Sequence, residues 1–117
     1  MTTDEEITAF MNSCTQAAVL TTTSGALVYA NDLYHKQFNI TQFHDSVHVI
    51  DSIIESNNNP LIKANAMYCK HLESVFLKHK RTTIKKELFY YKKYVTLRTI
   101  VSIQRVQHIL LLIAEEK

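Results

Sequence analysis

Apolar residues recur with two different periods along this chain, and the change of period divides it. Ile7, Phe10, Met11 and Cys14 fall at helical spacing behind Thr3-Asp4-Glu5-Glu6, where Thr3 and Glu6 have the spacing of a capping box. A short amphipathic helix over about 4–15 is expected. Ala17 to Thr22 and Ala26 to Ala30 are β-branched or apolar runs on either side of Thr23-Ser24-Gly25. The one glycine stands where a turn wants positive φ, so the two runs read as a hairpin. Asn31-Asp32 then offers a cap and a first-turn acid for a short helix through Phe38. A further helical patch over 45–55 puts Val47, Ile50 and Ile54 on one side. Asn59 before Pro60 places an N-cap ahead of proline at the first helical position, and opens a helix over 60–79. Its apolar face is expected to hold Leu61, Ala64, Tyr68, Leu72 and Val75, with Lys63, Lys70 and Glu73 opposite.

From Thr82 onward the period becomes two. Segments 82–90, 94–103 and 106–114 are rich in Thr, Val, Ile, Leu and Tyr, with breaks near Tyr91-Lys92-Lys93 and Gln104-Arg105. In the middle segment Val95, Leu97, Thr99, Val101 and Ile103 point one way, and Tyr94, Thr96, Arg98, Ile100 and Ser102 the other. The last segment is apolar on both faces, so both sides of the sheet need cover there. The expected order is one helix, two strands, three helices, three strands.

Composition narrows the chemistry. The 117 residues hold one glycine, one proline and two cysteines, with 46% hydrophobic and 21% charged residues. That is one globular domain's worth of sequence. A phosphate-cradling glycine loop is excluded, and no CxxC pair, HExxH helix or GxSxG elbow occurs. The longest apolar run, Ile109 to Ala114, is far short of a membrane span, and the acidic start has no secretory signal. Cys14 and Cys69 are too few for a disulfide scaffold, and a reduced, cytoplasmic location without membrane contact is expected.

Charge is uneven. Residues 1–60 carry a net −6, whereas 78–105 carry +8, from Lys78, Lys80, Arg81, Lys85, Lys86, Lys92, Lys93, Arg98 and Arg105 against Glu87. One reading is a nucleic-acid-binding module using this basic C-terminal sheet. The other is that these bases are solvated strand ends facing the acidic half or a partner.

The stretch Ala17-Ala18-Val19-Leu20-Thr21-Thr22-Thr23-Ser24-Gly25-Ala26-Leu27-Val28-Tyr29-Ala30-Asn31-Asp32-Leu33-Tyr34, in this order of elements, resembles the first hairpin of a PAS domain. There an apolar strand ending in "Tyr-Ala-Asn" leads into an aromatic-containing helix. The resemblance spans about 5–116, although glycines usual between the fourth and fifth strands are absent. It implies an α+β fold: a five-stranded antiparallel sheet with helices on one face and an N-terminal amphipathic helix. Residues 1–16 would form a cap helix and 17–117 the sensory domain. It also implies a non-catalytic module that binds a small ligand or partner and controls an attached output, such as a transcription regulator or a two-component signalling protein.

Individual residues follow from both readings. Asn31 is expected to cap its helix and fix the strand-to-helix corner. Tyr34, Phe38, Met67, Tyr68, His71 and Thr99 form a candidate pocket that mixes aromatic walls with a few polar groups. No cofactor is expected. The flavin-reactive cysteine motif of light-sensing members is absent, while haem held by His71 is an alternative that the resemblance leaves open. His35, His44, His48 and His108 make no metal-ligand spacing. No carboxylate is expected on an apolar face. Because the last strand needs cover on both sides, the stripe Ile7, Phe10, Met11 and Cys14 is expected to pack on the sheet's outer face and to make a homodimer.

Overall fold

The run that is apolar on both faces becomes the centre of the sheet. A computed structural model describes residues 4–38, 59–89 and 92–116. Its elements are α1 (Asp4–Ser13), β1 (Ala17–Thr22), β2 (Leu27–Ala30), α2 (Asp32–Phe38), α3 (Pro60–His79), β3 (Thr83–Phe89), β4 (Lys92–Ile103) and β5 (Val106–Glu115). The strands form one antiparallel sheet in the order β2-β1-β5-β4-β3. The helical patch expected over 45–55 and the cap residue Thr3 lie outside the described residues.

Local chemistry accounts for the boundaries. Asn59 Oδ1 accepts from Leu61 N at 2.9 Å ahead of Pro60, so α3 starts where the Asn-Pro pair placed it. Lys80 ends it in the left-handed region at φ 53°, its N–H donating to Phe76 O at 2.7 Å. Gly25 takes φ 95° in the first hairpin, as the turn requires. The β4–β5 hairpin turns on Gln104 and Arg105 at φ 51° and 69°, a geometry that glycine or asparagine would adopt with less strain.

Alternation along β4 and β5 separates two faces. On the outer face α1 sinks Ile7 and Met11 among Ala18, Leu20, Ile103 and Leu110, with Tyr29, Val101 and Leu112 around them. The covering role expected of the N-terminal helix is present within the chain. Four of its apolar residues were expected at a dimer contact. Ile7 and Met11 are used internally, which leaves Phe10 and Cys14 with exposed or half-exposed surface.

On the inner face lie Tyr94, Thr96 and Arg98, covered by α3. Here the sequence reading of α3 needs correction. Leu61, Tyr68 and Val75 are exposed, and the packed side is Ala66 and Phe76 with Cys69, Leu72 and Glu73 partly buried. The helix is turned by about 100°, one residue's rotation. The reason is that the sheet beneath it is polar at its centre, so Cys69 and Glu73 face inward beside Phe76, while Leu61, Tyr68 and Val75 do not.

Candidate functional site

Two polar constructions tie the fold together, and both begin with one side chain. Asn31 follows β2 and precedes α2, and it is buried. Its Oδ1 accepts from Ala18 N at 3.0 Å and from Tyr34 N at 3.0 Å. Its Nδ2 donates to Met11 O at 2.9 Å and Gln16 O at 3.1 Å. The amide thus uses both donors and both acceptor positions. The expected cap of α2 is there, and the same side chain also holds the end of α1 and the start of β1.

The second construction lies under α3. Arg98, 2% exposed, meets Glu87 in a two-pronged ion pair: Nη1 to Oε2 at 2.8 Å and Nη2 to Oε1 at 3.1 Å. Thr96 donates its hydroxyl to the same carboxylate, and the Cys69 thiol of α3 hydrogen-bonds to it. Arg98 Nη1 also reaches Thr96 Oγ1 at 3.3 Å. Burial by itself would raise the Glu87 carboxyl, but the Arg98 guanidinium, with Cys69 and Thr96, outweighs it and holds the group below the usual carboxylate range. Burial disfavours the Arg98 charge, and Glu87 more than restores it. Burial, then the neighbouring Glu87 charge, pushes the Cys69 thiol up, so this cysteine stays a neutral donor. Arg98 Nε is buried and finds no acceptor among the described residues.

This network was not foreseen: no carboxylate was expected inside, and Glu87 is buried. Arg98 also leaves the basic surface. Of the remaining bases, Lys86 pairs with Glu116 at 3.4 Å and Lys92 with Glu115 at 3.8 Å, while Lys80 donates to Gln107 at 2.9 Å. The C-terminal sheet therefore presents a mixed surface at these positions.

Of the expected pocket residues, those whose side chains are described do not gather. Tyr34 is buried beside its Asn31 cap. Met67, Tyr68 and His71 lie on the exposed side of α3. Thr99 pairs with Leu110, which packs under α1, so it sits on the other face of the sheet, where its hydroxyl and that of Thr82 hydrogen-bond at 2.8 Å. The side chain of Phe38 lies outside the description. His71 is turned away from the Cys69–Phe76 side of the helix. Among the described residues no group of three or more His, Cys, Asp or Glu could hold a metal ion.

Neither a family model nor a curated sequence matches the chain. Solved structures do. The PAS domain of nitrogen regulation protein NR(II) from Vibrio parahaemolyticus superposes with a TM-score of 0.61 at 11% identity, covering 94% of this chain and 97% of that one. The PAS domain of Bordetella pertussis BvgS gives 0.67 at 10% identity, covering 97% and 85%. The fold is that of a PAS domain. A light-oxygen-voltage protein from Rhodobacter sphaeroides is similar in the same way, with a TM-score of 0.62 at 16% identity over 97% of this chain and 67% of that one. In PAS terms, the expected five-stranded antiparallel sheet and its helices are present, as is the helix that precedes them. No helix among the described residues is long and apolar enough to cross a membrane.

Proposed function

We propose that this PAS domain is a non-catalytic sensory or regulatory module. It binds a small ligand or a partner, pairs with a second copy through the α1 side, and controls an attached cytoplasmic output of the transcription-regulator or two-component kind. The observation that carries the reading is the PAS architecture over nearly the whole chain, shared with domains described as parts of a nitrogen regulation protein and a sensor histidine kinase. The buried chemistry supports it. Among the described residues Glu87 is the buried carboxylate, and it is saturated by Arg98, Thr96 and Cys69. A group so engaged stabilises structure and has no lone pair to offer a substrate.

Native mass spectrometry of the purified chain, set against its denatured mass, tests the reading, followed by thermal melts across small-molecule and protein candidates. A retained molecule, or a ligand that raises Tm by several degrees, supports a sensor. Binding of random-sequence RNA or DNA with a steep loss of affinity as salt rises, and no such ligand, would overturn it in favour of a nucleic-acid module.

A further inference from the structure

The bases of this chain meet different surroundings at the two ends of the sheet. Where β5 finishes, Lys86 reaches Glu116 at 3.4 Å and Lys92 reaches Glu115 at 3.8 Å. At the other end the close of α3 lies against the β4–β5 hairpin, where Lys80 Nζ donates to Gln107 Oε1 at 2.9 Å. Lys78, Lys80, Arg81 and Arg105 are exposed there, and none forms an ion pair with a carboxylate among the described residues. Lys80 keeps its charge, because its partner is a neutral amide. The acids that flank α3 and β3 in sequence are engaged elsewhere: Glu87 pairs with Arg98, and Glu73 is half-buried with its charge acting on Arg98. Glu115 faces Tyr94, whereas the hairpin closes at Ile103 and Val106. At a strand's rise that separation is about 30 Å. Charges screen over about 8 Å in physiological salt, so Glu115 does not offset the hairpin end.

The needs of the fold do not account for these bases. Lys78 suits the negative end of α3, but Arg81 and Arg105 lie outside the helix. The described residues include three non-glycine positions at positive φ, Lys80, Gln104 and Arg105, and all three stand at this end. Two backbone positions suited to glycine or asparagine are therefore occupied by bases. The Arg105 side chain returns nothing to the fold, since it is exposed and makes no hydrogen bond or ion pair among the described residues. Beside it Val106 is 57% exposed, and Val75 is exposed one turn before His79. The aromatic of this stretch, Phe76, is buried. Single-stranded nucleic acid is held by bases stacked on open aromatic rings, whereas here the charges are flanked by open aliphatic side chains.

We propose that this end of the domain docks an acidic segment of a partner protein, with carboxylates on Arg81 and Arg105 and an aliphatic side chain against Val106. A guanidinium takes a carboxylate through two parallel hydrogen bonds, which gives direction as well as charge. The segment supplies the negative charge that the far end of the sheet has in Glu115 and Glu116 and this end lacks. This names the partner of the regulatory module proposed above and rests on that reading.

Fluorescence anisotropy with a labelled peptide of alternating Glu and Leu tests the surface, using the full chain at several salt concentrations. The peptide is expected to bind, more weakly as salt rises. Arg81→Ala and Arg105→Gly should each raise the dissociation constant about five-fold or more, while Lys92→Ala at the far end leaves it unchanged. Gln104→Asn with Arg105→Gly should weaken binding as much without lowering the melting temperature, which separates the role of Arg105 from folding. Val106→Ser, or a peptide with Ser in place of Leu, should also bind less well. Binding indifferent to both of these changes would reduce the contact to general charge attraction and overturn the proposal. Tighter binding of a random-sequence DNA duplex, lost in the same arginine variants, would overturn it in favour of nucleic acid. No binding of the peptide would overturn the partner named here and leave small-ligand sensing, read from retained mass, standing.

Discussion

Asn31 Nδ2 donates to the carbonyl of Met11 at 2.9 Å, across twenty residues of sequence, and so ties the last turn of the outer-face helix to the corner where α2 begins. An N-cap alone is worth about 1 kcal/mol, and each buried group left without a partner costs about 1–3 kcal/mol. Asn31→Ala strips partners from two amides and two carbonyls at once. Urea unfolding should show a loss of about 3 kcal/mol, well beyond that of a surface cap.

Glu87 and Arg98 are worth more to each other than to the fold. Glu87→Gln leaves a buried guanidinium without its counter-charge and should cost about 3–5 kcal/mol. Replacing both, Glu87→Leu with Arg98→Met, removes the desolvation of two ions and should be neutral or stabilising by about 1–4 kcal/mol. Both are read from denaturant midpoints at matched slopes, and a double variant as damaged as the single one would show that the pair does more than cancel itself.

Acid should weaken the domain through the same carboxylate. Glu87 has its folded pKa held below the unfolded value of about 4.3. Its contribution is therefore complete above about pH 4.3 and is lost as pH falls through the lower folded value. Urea midpoints should drop as the solution is acidified below that point, and the Glu87→Leu, Arg98→Met chain should lose less over the same range.

The β4–β5 turn holds two non-glycine residues at positive φ. Gln104→Asn with Arg105→Gly supplies the pair such a turn prefers and should add about 1 kcal/mol. Thermal melting should rise by a few degrees, with no change in the ladder that starts at Ile103 and Val106.

Much of the architecture was legible because short-range chemistry fixes it. Asn59-Pro60 marks the start of α3, Gly25 the first hairpin, and strict alternation from Tyr94 the two faces of β4. The charged interior was not legible for an equally local reason. Glu87 follows Lys85 and Lys86, and a carboxylate beside two lysines reads as solvated. Arg98 was placed on the correct face with Tyr94 and Thr96, yet it was counted among surface bases because its partner lies eleven residues away on another strand. The face of α3 followed the same error. Side-chain hydropathy favoured Leu61, Tyr68 and Val75, whereas the sheet beneath selects Cys69 and Glu73. The candidate pocket inherited it, since Met67, Tyr68 and His71 were chosen from that face.

The neighbours of β1 have a consequence for how the chain is made. β1 pairs with β2 on one side and on the other only with β5, from Ala17 opposite Ile113 to Thr22 opposite His108. A ribosome releases Ala17 to Leu20 long before Ile109 to Ile113 exists. Until then this apolar strand has an open edge, and it must wait for almost a hundred residues to emerge. The β4–β5 hairpin, by contrast, closes on neighbouring residues and forms early after its synthesis. Assembly of the sheet is thus governed by the arrival of its last strand, and a chain stalled or cut before residue 109 exposes the segment best suited to aggregate.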